Sequence, residues 1–417
     1  VNQKTIVVLC RTAAFISAFH LLILSAGCCL WTCPPKPDDP PPPPEPVFEF
    51  TRIADTETIA PGQTSRFLEF YHPHPAMADG SVLFAGSTAT PENNNGLYVY
   101  QEGGVLLVAD RTTTMPNTSE NFAVFLWATT GNGKFIFMAN TKSQKYGIYV
   151  KDQDTLSVVV DENSLDPVDQ EPYVGFDSTS AQIGRDAYTF SASDSKNRHS
   201  VYRQVNGKTE VMLNEKMLPA NTPKPTRAFS GAYVIADTVA FSSVSYDGLY
   251  HVLYYYDGSN FVKVTDSDTP IPGQTNHFGR FNRKGLSGGN IAFLTSTMNA
   301  PYASRGIYAW IEKKLHVIAE TGVLLPGVDE PVSAFNNTPA IEKEVVLFNA
   351  TFSGDRSGLY FWKNGRVSKV LVPGDKLDGK TVISTNLGVD GIDGNQFAFS
   401  VKFENSMQAI YMGNYSE

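Results

Sequence analysis

Six times along this chain, a phenylalanine stands fifteen residues after the polar or acidic residue that closes an apolar run. The pairs are Asp55 and Phe70, Asp110 and Phe125, Asp161 and Phe176, Asn214 and Phe229, Asp266 and Phe281, and Glu320 and Phe335. A proline falls inside each interval, at Pro61, Pro116, Pro167, Pro219, Pro272 and Pro326. A fixed spacing that returns about every 50 residues marks one supersecondary unit used repeatedly, and argues against a string of unrelated domains.

Two further phrases keep the period. A Gly/Ala-aliphatic-Tyr phrase ends at Tyr98, Tyr149, Tyr202, Tyr250, Tyr308, Tyr360 and Tyr411, at intervals of 51, 53, 48, 58, 52 and 51. An alternating apolar run carries Phe84, Phe137, Phe190, Phe241, Phe293, Phe348 and Phe399. Each unit reads as four strands; in the first copy they are Phe70–Ala78, Ser81–Ser87, Gly96–Gln101 and Val105–Asp110. The turns between them are rich in Gly and Asn, as tight hairpins require. A seventh copy, Val370 to Leu387, is degenerate. Charged residues are only 18% of the chain, against 33 Gly and 26 Pro, a mix that suits strands and turns better than long surface helices.

Seven four-stranded units predict radial repetition. A linear stack would use shorter units and need caps. The run Phe48–Asp55 is of the outer-strand type, while the last repeat, ending in Ala409-Ile410-Tyr411, lacks an outer strand. The predicted fold class is therefore all-β: a seven-bladed β-propeller over 48–417 with four-stranded blades, closed by a 3+1 composite blade of N- and C-terminal strands. Closure of this kind removes the open sheet edges. The phrases Gly96-Leu97-Tyr98, Val108-Ala109-Asp110 and Thr269-Pro270-Ile271-Pro272-Gly273 resemble bacterial propellers built on Gly-Ile-Tyr, Val-Ala-Asp and Thr-x-x-Pro-Gly repeats. The resemblance spans residues 48–413 and implies the fold but little about activity. The sequence has neither the Ser-x-Asp-x-Gly-x-Thr-Trp box of sialidases nor the Trp-Asp signature of WD40 blades.

Residues 1–27 have the layout of a secretory signal: Lys4 and Arg11 with no acid, then a mostly apolar run ending in small residues. The run is short for a spanning helix. Leu24-Ser25-Ala26-Gly27-Cys28 resembles the bacterial lipoprotein signal, with Ser25 replacing the more usual aliphatic residue. The resemblance implies lipidation of Cys28. Cys29, rather than Asp, follows; in a two-membrane bacterium this resembles outer-membrane sorting. The expected location is the cell envelope, with the membrane reached through the lipid anchor. Residues 28–47 are a linker, and nine of the thirteen residues in 34–46 are proline. Such a stretch is a polyproline II spacer of roughly 40 Å at ~3.1 Å per residue. Cys10, Cys28, Cys29 and Cys33 are the only cysteines, so the body has no disulfide and no cysteine metal site.

Net charge is −9, which disfavours nucleic acid as a partner. The run Arg280, Arg283 and Lys284 reads as a solvated turn. Repetition separates fold from function, because every blade must solve the same packing problem. The repeated acids Asp55, Asp110, Asp161 and Asp266 read as turn caps, and the repeated Phe and Tyr as core. The two positions after each inner-strand Phe differ from blade to blade: Tyr71-His72, Leu126-Trp127, Asp177-Ser178, Ser230-Gly231, Asn282-Arg283 and Asn336-Asn337. Candidate ligand-binding residues are thus Tyr71, His72, Trp127, Asp177, Arg283 and Asn336. Converging at one mouth of the channel, they would form a concave site suited to a sugar or a small polar ligand.

His72-Pro73-His74-Pro75 offers two imidazoles without a third ligand. Asp390-Gly391-Ile392-Asp393-Gly394-Asn395 has the oxygen-rich composition of a calcium loop, but falls where other repeats have a hairpin turn. No metal, no cofactor and no catalytic residue is assigned; nucleophile-elbow, phosphate-loop and metalloprotease motifs are absent. The expected function is a membrane-anchored, monomeric binding or scaffold propeller that recognises a protein or glycan through one face. The alternative is a carbohydrate-active enzyme using the channel mouth, with Glu69 and Asp177 as its carboxylate pair.

Overall fold

Turn chemistry cuts each repeat into strands. Asp79 and Gly80 have φ of 52° and 73°, and Asn132 and Gly133 have φ of 52° and 68°. Two successive left-handed residues make the two-residue hairpin loop whose twist matches the flanking strands. In the computed structural model, the described residues are 44–89, 94–177, 181–183, 187–196, 198–218, 226–235, 237–245, 247–297 and 305–417. Cys28 and the proline-rich stretch up to residue 43 lie outside them. Pro46–Glu417 form one compact unit, and the other unit, Val1–Glu45, falls almost wholly outside the described residues.

Seven antiparallel blades follow one another around a ring. Blade 1 is Phe67–Ala78, Ser81–Thr88, Asn94–Gln101 and Gly104–Asp110, in that order from the axis outward. The inner strands of blades 2, 4 and 5 are Phe122–Gly131, Thr226–Ile235 and Phe278–Ser287. Blade 3 has a broken one, Tyr173–Phe176 and Gln182–Ile183, and blade 6 a short one, Ala340–Glu342. Blade 7 takes Lys380–Asp393, Gln396–Phe403 and Gln408–Ser416 from the C-terminal end, and Val47–Asp55 from the other end as its outer strand. The pairing runs from Val47 opposite Ser416 to Asp55 opposite Ala409, so the 3+1 closure is present. Phe48 and Phe50 anchor it, edge-on to Phe397 at 6.2 and 6.4 Å.

The repeated aromatics are the core. Phe84, Phe137, Phe190, Phe241, Phe293, Phe348 and Phe399 are each at most 1% exposed. Burial of such a ring contributes about 1.5–3 kcal/mol. Each pairs across the ladder with a tyrosine, as Phe84 does with Tyr98 and Phe399 with Tyr411. Blade 4 corrects the sequence reading: the partner of Phe241 is Tyr254, not Tyr250. Reading Tyr254 turns the anomalous intervals of 48 and 58 into 52 and 54. Tyr250 lies nearer the hairpin and donates its hydroxyl to Asp266 at 2.8 Å.

The repeated acids cap turns. Asp55 Oδ1 accepts from the Glu57 amide at 3.0 Å, Asp110 Oδ1 from Thr112 at 2.9 Å, and Asp161 Oδ1 from Asn163 at 3.0 Å. Glu320 is longer and acts differently: it accepts from the Tyr308 hydroxyl at 2.5 Å and from Gln274 at 2.6 Å. In the degenerate copy, Asp375 takes the part of the turn threonine instead, accepting from the Val372 amide at 2.9 Å as Thr58 Oγ1 accepts from the Asp55 amide at 3.0 Å.

Candidate ligand cavity

The inner strands break register just where the blades stop resembling one another. Pairing jumps from Tyr71 to Ala76 in blade 1, from Phe125 to Trp127 in blade 2 and from Phe281 to Lys284 in blade 5. In blade 7 it jumps from Leu387 to Ile392. Residues without a cross-strand partner bend the strand and re-aim their side chains. Here the bulged segments of blades 1, 2, 5 and 7, with the unpaired stretch 336–338 of blade 6, line an open recess of about 390 Å³. Blades 7 and 1 meet closely at its wall: a Cβ on Gly388 would sit 2.3 Å from the Pro75 carbonyl oxygen.

Four of the residues singled out by sequence line this cavity: His72, Trp127, Arg283 and Asn336. Trp127 is only 4% exposed, so it is wall rather than an open stacking platform. Tyr71 and Asp177 do not line it. Tyr71 packs on the apolar cluster shared by blades 1 and 2, and Asp177 acts electrostatically on Lys284. Glu69 is exposed and also outside the lining, so the Glu69–Asp177 pair is not assembled there. A second cavity of about 150 Å³ shares Asn336 and Asn337 with the first and adds Asn349, Thr351, Ser384 and Asn386. Asn337 Nδ2 donates to Asn349 Oδ1 at 3.2 Å and to Asn386 Oδ1 at 3.4 Å.

The surrounding blades hold back bulk water, and the ionisable groups respond. Burial lowers His74 to about 4, helped by neighbouring His72 and Arg283. His72 is lowered too, mainly by burial, against a hydrogen bond to the Leu126 backbone that raises it. Both imidazoles are therefore neutral at pH 7. Arg283 donates to the Asn336 carbonyl oxygen. Its own pKa is lowered by burial and then by Arg305.

Asp390 was misassigned from sequence. The turn comprises Gly394 and Asn395, whereas Asp390 lies within the inner strand and faces the cavity. Its carboxylate accepts from Gln182 Nε2 at 3.1 and 3.2 Å and from the Tyr233 hydroxyl, with Thr129 as a further partner. One side chain of blade 7 thus gathers donors from blades 2, 3 and 4. Burial raises it to about 6.

Residues 49–404 match the family described as "Family of unknown function (DUF7453)". The chain belongs to that family. No curated protein matches it. Among solved structures, the fold is similar to the β-propeller domain of the Trilobed protease from Pyrococcus furiosus, with TM-score 0.51 and 10% identity over 85% of this chain and 96% of that one. That domain is described as having an open velcro topology; in the present chain Val47–Asp55 pairs with Gln408–Ser416. The C-terminal WD40 domain of Sif2 is similar at TM-score 0.40 and 11% identity, over 85% of this chain and 99% of that one. At 10% identity the likeness to the Pyrococcus furiosus domain is one of fold.

Lys284 and Arg283 also lie outside the solvated turn that their basic run suggested: both belong to the inner strand Phe278–Ser287. Lys284 is 3% exposed there. Burial lowers it to about 7, against the opposing pull of Asp177. Its ammonium donates to the Asn282 carbonyl oxygen at 2.8 Å. A signal for both Asp390 and Lys284 exists in the sequence. Nine residues before the seven core phenylalanines stand Pro75, Ala128, Ala181, Ala232, Lys284, Pro339 and Asp390. Five are small or apolar, and two carry charge.

Proposed function

We propose that this chain is a non-catalytic binding propeller, displayed at a cell envelope from a lipidated Cys28, that takes a glycan in the cavity between its inner strands. One observation carries the reading: His72, Trp127, Arg283 and Asn336, all at positions that vary between blades, line a single cavity. Its volume of about 390 Å³ falls in the range of small-ligand sites. The adjoining Asn349, Asn386 and Thr351 extend a polar wall. Sugar hydroxyls both donate and accept, and carboxamides answer in both senses. Support for the anchor is the Leu24–Cys28 motif alone.

A glycan array probed with the full-length chain tests the binding role. Retention on a defined set of glycans is expected; no retention on any would overturn it. Labelling by a palmitate analogue that is lost in Cys28→Ser tests the anchor, and labelling that persists in the variant would refute it.

A further inference from the structure

The protein is acidic, at a net charge of −9, yet the cavity wall carries a cation facing inward. Arg283 is in an inner strand whose bulge turns it toward Asn336 across the blade boundary. Among the described residues, it donates to one acceptor, the Asn336 carbonyl oxygen, and no carboxylate lies within ion-pair distance. A guanidinium has five N–H donors in a planar fork, so one bond leaves most of them directed elsewhere. None of the described groups around it forms an ion pair with it, and the two imidazoles that face it are neutral at pH 7. Arg305 adds to the positive field, and Lys284 stands beside it in sequence. His72 and His74 face it from blade 1. The carboxylate that lines the same cavity, Asp390, is engaged by Gln182 and Tyr233 from blades 3 and 4.

A cation held in a recess, with hydrogen-bonding amides beside it, is chemistry for a carboxylate, which an arginine fork can bind through two parallel bonds. We infer that the glycan bound by this cavity is acidic, a hexuronate or short hexuronate oligomer, and that Arg283 seats its carboxylate. Asn337 and Asn336 then meet ring hydroxyls, and further sugar units extend along Asn349 and Asn386. This rests on the glycan reading above and names the class of sugar.

The test is calorimetric titration of the full-length chain with digalacturonate and, separately, with a neutral galactose disaccharide. The expected result is binding of the acid at least tenfold tighter than that of the neutral disaccharide. Arg283→Met should weaken acid binding at least tenfold, and by a larger factor than it weakens any neutral binding. Arg283→Lys, which keeps the charge but not the fork, should recover part of the loss. Unchanged melting of Arg283→Met would show that the variant folds. Equal or tighter binding of the neutral sugar, or acid binding indifferent to Arg283→Met, would overturn the uronate assignment while leaving the glycan reading standing. Absence of binding by either sugar class, including on the array, would overturn both. Capture of an acidic peptide but no sugar would replace the glycan with a peptide ligand.

Discussion

Lys284 and Asp390 occupy the same place in two copies of the repeat, each nine residues before a fully buried phenylalanine, Phe293 and Phe399. Other blades put Pro or Ala there. The two charges are thus departures from a packing rule that five blades obey, and each should leave a measurable mark on stability.

For Lys284 the mark is a cost. Its folded pKa, about 7, lies below the ordinary 10.5, so the folded state gives up this proton more easily than the unfolded chain. The stability contribution is complete above pH 10.5 and lost as pH falls through 7. Lys284→Met should therefore stabilise the protein most at or below pH 7, by about 1–4 kcal/mol. The gain should shrink toward pH 10. Urea unfolding at pH 6 and pH 9 measures both.

Asp390 has the opposite slope. Its folded pKa, about 6, lies above the ordinary 3.8, so its contribution is complete below pH 3.8 and lost as pH rises through 6. Asp390→Ala leaves Tyr233, Gln182 and Thr129 without their acceptor. A buried donor left unpaired costs about 1–3 kcal/mol. The difference between wild type and variant should be larger at pH 4 than at pH 7, read from urea midpoints at the two values.

Closure by the outer strand of blade 7 should be worth several kcal/mol. A chain starting at residue 56 loses Phe48 and Phe50, which pack on Phe361, Phe397 and Phe399. Both rings are partly buried, so each contributes less than the ~1.5–3 kcal/mol of full burial, and the two together give a loss of roughly 2–4 kcal/mol. A chain starting at residue 46 should melt like the full chain. A synthetic peptide covering 46–55, added to the shorter chain, should restore part of the lost stability.

Gly388 should tolerate no side chain. An added Cβ meets backbone of blade 1, 2.3 Å from Pro75 O, and backbone cannot swing aside. Gly388→Ala should cost about 1–3 kcal/mol, as overpacking does. Gly104→Ala is the control: nothing lies within 4 Å of its Cβ, and the change should stay within about 0.5 kcal/mol. Thermal melts of the two variants compare them.

What could be read from sequence follows from where symmetry holds. The seven core phenylalanines from Phe84 to Phe399 and the capping acids recur because each blade packs alike, and the structure places these as read; of the phenylalanines in the fifteen-residue spacing, Phe176 is only half-buried. Tyr254 escaped because the Gly-Leu-Tyr phrase of blade 4 ends at Tyr250, four residues before the residue that pairs with Phe241. His72 and Arg283 stood out as breaks in the pattern. Asp390 and Lys284 did not, for a physical reason. Inner-strand bulges differ in length between blades, so counting forward from Phe70 or Phe281 loses register, whereas counting back from the next strand keeps it. Composition then misled: Asp-Gly looks like a turn, and Arg with Lys looks like a surface.

The claim that ligand binding resides in these irregular residues is tested most directly by filling the cavity. Thr338 is half-buried in its wall, and Thr338→Trp places an indole in the recess. The full-length variant is run beside wild type on the same glycan array, with melting curves as the check on folding. Loss of the retained glycans at an unchanged melting temperature is the predicted result; the same glycans held equally well with the cavity filled would contradict the account.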